Sequence, residues 1–204
     1  MVKNKTAVIL SFVIILLIVL ATLWHKKSAP LVVIQAGHEG RIKGNTGSSY
    51  SRLKEVNWNI FVANEAAKKL REWGISVKRV GADTKVIKAK VAVAIHFDGA
   101  PKPCSSGASI GYQNRDSKEF ANRWKKLYKS YYPFKWQKDN FTENLSKYYG
   151  YNYIKADKFL VLELGEITCK KQTKWLKPRL KTIAHLVAAN IAREFGLDAR
   201  VKLK

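Results

Sequence analysis

Two histidines and two glutamates stand where short runs of apolar residues end or a helix begins. His38 follows the run Leu31-Val-Val-Ile-Gln-Ala36 and Gly37, His96 closes Val91-Ala-Val-Ala-Ile95, and Glu163 lies near the end of Phe159-Leu-Val-Leu162. Runs of this length and composition read as buried β-strands. In an open α/β sheet, ligands and chemistry gather beyond the carboxyl ends of the strands. Glu55 sits just ahead of a helical stretch, whose start can face the edge that carries His38. Two imidazoles and one carboxylate are a common protein ligand set for catalytic zinc, with a fourth position left for water. His38, Glu55 and His96 supply that set. Hydrolysis then needs a separate carboxylate to take a proton from water and return it to the leaving nitrogen. Glu163 is the candidate, because a charge within Leu160-Val-Leu-Glu-Leu164 is costly to bury unless it is paired or functional. The residue types and their spacing point to a zinc hydrolase.

These side chains need a sheet and helices to hold them. A Gly-rich loop runs from His38 to Ser49, and the helix after it starts near Asn57, a candidate N-cap. Val56, Ile60, Ala63, Ala67 and Leu70 recur at helical spacing, and Gly74 is a stop signal. Further strands are expected at Ile75–Val80, Val91–Phe97, Ala108–Tyr112 and Phe159–Gly165, and a helix at Ser117–Tyr132 before Pro133. The last helix runs from about Pro178 to Phe195, with Leu180, Ala184, Val187, Ile191 and Phe195 on its inner face, and Gly196 ends it. Alternating strands and helices argue an α/β fold with a twisted, mostly parallel or mixed sheet flanked by helices.

The 204-residue chain is long enough for a single domain with a sizeable core. Ahead of it, Ala7 to Trp24 is an 18-residue stretch interrupted only by Ser11 and Thr22 and flanked by Lys3, Lys5 and His25-Lys-Lys27. Such a run reads as a membrane span. An uncleaved signal-anchor over residues 1–24 is the favoured reading; the alternative is a cleaved signal, with Val19 and Ala21 placed before a cut at Thr22. Residues 25–30 then form a linker and 198–204 a basic tail. The 38 Lys and Arg against 15 Asp and Glu give a net charge of +23, spread along the chain. This excess favours an anionic partner such as a wall polymer, lipid headgroups or nucleic acid, and says nothing of the fold.

The ordered set Gly37-His-Glu-Gly40, Gly44-Asn-Thr-Gly47, Leu53-Lys-Glu-Val-Asn57, Ala94-Ile-His-Phe-Asp-Gly99 and Val161-Leu-Glu-Leu-Gly165 resembles the zinc-dependent N-acetylmuramoyl-L-alanine amidase family. The resemblance extends over residues 31–197. It implies that His38, Glu55 and His96 are zinc ligands and that Glu163 is the catalytic glutamate. The substrate it implies is peptidoglycan, cut at the amide between the lactyl group of muramic acid and L-alanine. With the apolar run, it places the enzyme at the cell membrane as a single-pass protein, its domain on the extracytoplasmic side. Departures surround the site without removing a ligand: Glu39 replaces a usual glycine, Gly81–Lys90 replaces a helix, Phe97-Asp98 follow His96 in place of alanine-asparagine, and Glu166 replaces a phenylalanine.

Other residues have plainer readings. Glu166 alternates to the strand face opposite Glu163 and reads as a rim or salt-bridging residue. His185 reads as a solvated histidine beside Lys181. Cys104 and Cys169 either form a disulfide or stay as two thiols. The stretch Trp124–Tyr153 holds 11 of the 23 aromatics among lysines, and suits core packing, a glycan groove wall or a membrane-facing surface. Rival functions are a non-catalytic wall- or membrane-binding protein on the same scaffold, a zinc hydrolase of another amide, and a binder of single-stranded nucleic acid. The last has no recognisable motif behind it, and no nucleic-acid partner is expected.

Overall fold

The computed structural model describes residues 32–199 and 201. The elements, in order, are β1 (Val32–Ala36), β2 (Ser49–Tyr50), β3 (Leu53–Lys54), α1 (Glu55–Glu72), β4 (Val77–Val80), β5 (Ile87–Asp98), β6 (Ser109–Gly111), α2 (Arg115–Lys129), α3 (Glu143–Ser146), β7 (Ile154–Glu166), α4 (Lys170–Leu176) and α5 (Leu180–Ala192). Five strands form one sheet in the order β4-β1-β5-β7-β6. All its pairs are parallel except β6 with β7. The expected mostly parallel α/β sheet is therefore present.

Side-chain alternation divides the core into two layers. Val32, Ile34, Val93, Ile95, Leu160 and Leu162 face one side, under α1, α2 and α5. Val33, Ala92, Ala94, Phe159 and Val161 face the other, under Leu145, Tyr148 and Tyr151. Gln35, His96 and Glu163 fall on this second face by the same period of two. No helix lies in the connection 81–86 between β4 and β5, as the shortened Gly81–Lys90 segment led us to expect.

Several boundaries differ from the sequence reading. Helix α1 starts at Glu55, with Lys54 rather than Asn57 at its cap. The Glu55 amide is held by the Ser48 carbonyl at 2.9 Å, and its carboxylate lies in the first turn, where the helix dipole favours a negative charge. The buried stripe is Trp58, Asn59, Val62, Ala63, Ala66, Ala67 and Leu70, with Val56 and Ile60 only half-buried. Strands β5 and β7 begin well before Val91 and Phe159, because their polar early halves pair with each other, Ile87 opposite Ile154. The last helix is α5 bracketed by 3-10 turns at Lys177–Arg179 and Arg193–Phe195.

The C-terminus of α1 is a Schellman motif: Gly74 N–H bonds the Arg71 carbonyl and Ile75 N–H the Leu70 carbonyl. Helix α2 is capped by Asn114, whose side chain accepts from the Ser117 amide. Trp124, Tyr128 and Tyr132 on and after α2 are buried in the larger core layer. The aromatic segment thus contributes packing on both faces of the sheet.

Among the described residues no helix is long and apolar enough to cross a membrane. The apolar run Ala7–Trp24 lies outside the described residues, as do the linker 25–30 and part of the basic tail.

Candidate active site

His38, Glu55 and His96 converge, with one ligand atom from each lying within 4.8 Å of the others, and all three are buried. His38 comes from the turn just past β1, in the left-handed backbone region at φ 64°. Glu55 opens α1, and His96 is near the end of β5. Glu163 pairs in register with His96 on the adjacent strand. Neighbouring strands lie about 4.8 Å apart, so a shared level on a shared face brings this carboxylate to the histidine. The register shifts just beyond, between His96 and Asp98.

Hydrogen-bond accounting sets the histidine tautomers. His38 Nδ1 is 2.9 Å from the Asn45 carbonyl, which only accepts, so this nitrogen carries the proton. His96 Nε2 is 3.0 Å from the Tyr148 hydroxyl. That hydroxyl gives its own proton to Gln35 Oε1 at 2.9 Å, so His96 Nε2 is the donor. Each ring therefore turns a bare nitrogen toward Glu55 Oε1, His38 Nε2 at 3.2 Å and His96 Nδ1 at 3.1 Å. Two lone pairs and a carboxylate oxygen repel unless a cation lies among them. The donor set fits a divalent metal such as zinc.

The electrostatics show the same demand for positive charge, met by a proton on an imidazole when no metal supplies it. Burial disfavours charge on His38, yet the hydrogen bond and charge of Glu55, with the Asn45 carbonyl, hold its pKa above the ordinary value. Burial would raise Glu55, but hydrogen bonds and charge from both histidines hold it well below the usual carboxylate range. Glu163 is pushed up by burial and then by the charges of Glu55 and Asp98. Its residue surface is partly exposed, but its Oε2 is buried without a hydrogen-bond partner among the described residues.

A second tier of hydrogen bonds and close contacts holds these residues in place. Glu55 Oε2 accepts from the Ser48 amide at 2.8 Å, and its Oε1 accepts from Asn59 Nδ2 at 3.1 Å. Asn59 Nδ2 also donates to the Gly37 carbonyl at 3.0 Å. Gly47, at φ +90°, passes so close that a Cβ there would lie 2.9 Å from His38 Cδ2 and 3.0 Å from Glu55 Oε2. Sequence reading missed Gln35, Asn59 and Tyr148. Asn59 carried a usable signal, its place one helical turn after Glu55; Tyr148 is brought in from distant sequence and carried none.

The four residues open onto a cleft of about 360 Å³, rimmed by Arg41, Ser48, Asp98, Asn144, Lys147 and Tyr149. A cleft of similar size at the opposite ends of β5 and β7, beside Lys88, Asn114 and Asp157, contains none of the candidate residues. The chemistry identifies the first.

A sequence profile described as N-acetylmuramoyl-L-alanine amidase matches residues 32–193. The chain belongs to the N-acetylmuramoyl-L-alanine amidase family. No curated protein matches it significantly. Its fold is similar to the catalytic domain of CwlV, an N-acetylmuramoyl-L-alanine amidase from Bacillus (Paenibacillus) polymyxa var. colistinus. That pair has a TM-score of 0.62 at 18% identity, covering 82% of this chain and 98% of the other. An N-acetylmuramoyl-L-alanine amidase from Clostridium difficile 630 gives a TM-score of 0.61 at 19% identity, covering 85% and 100%. The amidase AmiC2 of Nostoc punctiforme gives 0.63 at 16% identity, covering 84% and 99%.

The departures from the family pattern have structural explanations in this amidase-family chain. Glu39 forms an ion pair with Arg79 on β4. Asp98 accepts from the Ser106 hydroxyl, and its pKa is raised, by burial first. Glu166 is not the rim residue expected from its position. It is fully buried and accepts from the Cys104 amide at 2.7 Å, the Ser106 amide at 2.8 Å and the Thr168 hydroxyl at 2.6 Å. Cys104 and Cys169 form a disulfide that joins the loops after β5 and β7. His185 lies half-buried on α5, its pKa lowered by burial and by Lys69 and Lys181.

Proposed function

We propose that this chain is a zinc-dependent amidase that hydrolyses the bond between N-acetylmuramic acid and L-alanine in peptidoglycan. The observation that carries the reading is the convergence of two bare imidazole nitrogens on the Glu55 carboxylate, beside Glu163, in a chain of this family. His38, Glu55 and His96 would hold the zinc. When bound there, zinc supplies Lewis acidity, which polarises a carbonyl and acidifies water. Glu163 takes the proton from water as the water oxygen bonds to the lactyl carbonyl carbon. It passes that proton to the alanine nitrogen as the C–N bond breaks, which leaves a muramoyl carboxylate and a free amino terminus. The burial and nearby carboxylates that raise its pKa favour its taking up a proton.

The apolar run Ala7–Trp24 supports a single-pass tether at the cell membrane, with the domain on the extracytoplasmic side. The disulfide is in keeping with an oxidising compartment. The excess positive charge would hold the domain near anionic wall polymer or lipid headgroups, less firmly as salt rises.

The test incubates the full chain with purified sacculi, with and without chelator, and reads newly exposed L-alanine amino groups. Chelator-sensitive release is expected. Glu163→Gln should keep zinc and the fold while turnover falls by roughly 10²–10⁴-fold, the range for removing a general base. Stoichiometric zinc with no release would favour a binding scaffold or another amide substrate, and an unimpaired Glu163→Gln would remove Glu163 from the proton-transfer role.

A further inference from the structure

Beyond His38, Glu55 and His96, a chain of hydrogen bonds runs from the backbone between β4 and β5 to the far side of the His96 ring. Gln35 Nε2 donates to the carbonyl of Ala82 at 2.9 Å and of Gly81 at 3.3 Å. Because a carbonyl only accepts, the Gln35 amide cannot be reversed, and its Oε1 must face Tyr148. The Tyr148 hydroxyl gives its one proton to that oxygen, and its own oxygen is left to accept from His96 Nε2. Gln35 and Tyr148 are 1% and 8% exposed, so water competes little for these bonds. The space is built to fit: a Cβ on Gly150 would lie 2.5 Å from the Tyr148 ring and 3.1 Å from Gln35 Oε1.

We infer that Tyr148, oriented by Gln35, is a positioning residue for the metal centre, and that it fixes His96 as the Nε2–H tautomer with Nδ1 turned toward Glu55. This rests on the zinc reading of the site. A metal-bound imidazole commonly donates its other N–H to an acceptor that sets ring orientation and basicity, and loss of such a partner typically weakens metal binding about 10- to 100-fold. Here the acceptor is a tyrosine from the segment between α3 and β7, which also roofs the second face of the sheet. The reverse tautomer would aim an Nδ1–H at Glu55 and leave no lone pair on that side of the ring.

The test measures the zinc dissociation constant of the full chain by competition with a chromophoric chelator. Alongside it, the His96 ring N–H of the zinc-loaded protein is followed by ¹H–¹⁵N spectroscopy. Tyr148→Phe keeps the ring and its packing, and should weaken zinc about 10-fold or more while the His96 Nε2 proton shifts upfield and exchanges faster. Tyr151→Phe is the control. It removes a neighbouring hydroxyl, bonded to the Leu145 carbonyl at 3.0 Å, that makes no bond to His96 or Gln35. Its zinc affinity and His96 signal should match those of the wild type. Wild-type zinc affinity and an unmoved His96 signal in Tyr148→Phe would overturn the inference alone. Equal weakening in both variants would reduce Tyr148 to packing and overturn it too. A wild-type chain that binds no zinc would overturn the zinc reading with it.

Discussion

The three clustered residues acquire their chemistry from what lies behind them. His38, Glu55 and His96 would be unremarkable as separate side chains, yet the Asn45 carbonyl and the Tyr148 hydroxyl occupy the outer nitrogens of the two rings. The inner nitrogens are thereby left bare toward one carboxylate. Space is limited as tightly as charge. A side chain at Gly47 would press on both His38 and Glu55 and would hold a left-handed φ that non-glycine residues adopt at a cost of about 1 kcal/mol or more. Gly47→Ala is therefore expected to weaken zinc binding at least about 10-fold, since ligand geometry sets affinity at such sites. Chelator competition measures this, and wild-type affinity would show that the loop yields without moving the ligands.

Between elements, the pairing of β5 with β7 does most to place the chemistry. It sets His96 opposite Glu163, and after a shift of register the strands pair once more, Asp98 with Glu166, before their loops begin. Glu166 then acts as a clamp across those loops. Its buried carboxylate satisfies the amides of Cys104 and Ser106, which belong to the connection after β5. Hydrogen bonds to a charged group contribute about 1.5–3 kcal/mol each, and leaving buried amides without partners costs comparably. Glu166→Ala should thus lower the unfolding free energy by roughly 3–5 kcal/mol on those grounds. Urea denaturation with an unchanged slope is the measurement. A loss under about 1 kcal/mol, the size expected of an ordinary surface change, would remove the clamp from the account.

For the molecule as a whole, the disulfide and the charge have different roles. Cys104 and Cys169 are separated by 65 residues. Closing a loop of that length removes unfolded-state entropy worth about 4 kcal/mol. Reduction should lower Tm by roughly 8–16 °C, at about 2–4 °C per kcal/mol for a chain of this size. Calorimetry with and without reductant checks this, and a fall below about 3 °C would point to residual structure in the reduced unfolded chain. The net charge of +23 contributes nothing comparable to the fold. Its proposed role is association with the anionic surface on which the enzyme works.

The sequence by itself determined the α/β class and the strand ends, and it singled out His38, His96 and Glu163, which the fold brings together with Glu55, because apolar runs of strand length that end on His or Glu are a local pattern. It also contained Asn59 one turn from Glu55, although a polar residue on a helix's buried face breaks the apolar pattern and so escapes it. Tertiary structure alone decided the rest. Tyr148 reaches His96 across 52 residues and Gln35 across 113. The role of Glu166 depends on a loop 60 residues away and on bonds to backbone amides, which carry no side-chain signature. The start of α1 was set by the Ser48 carbonyl rather than by a capping side chain. Periodicity reports which face of an element is buried; which partner meets a buried polar group is settled only when the chain closes on itself.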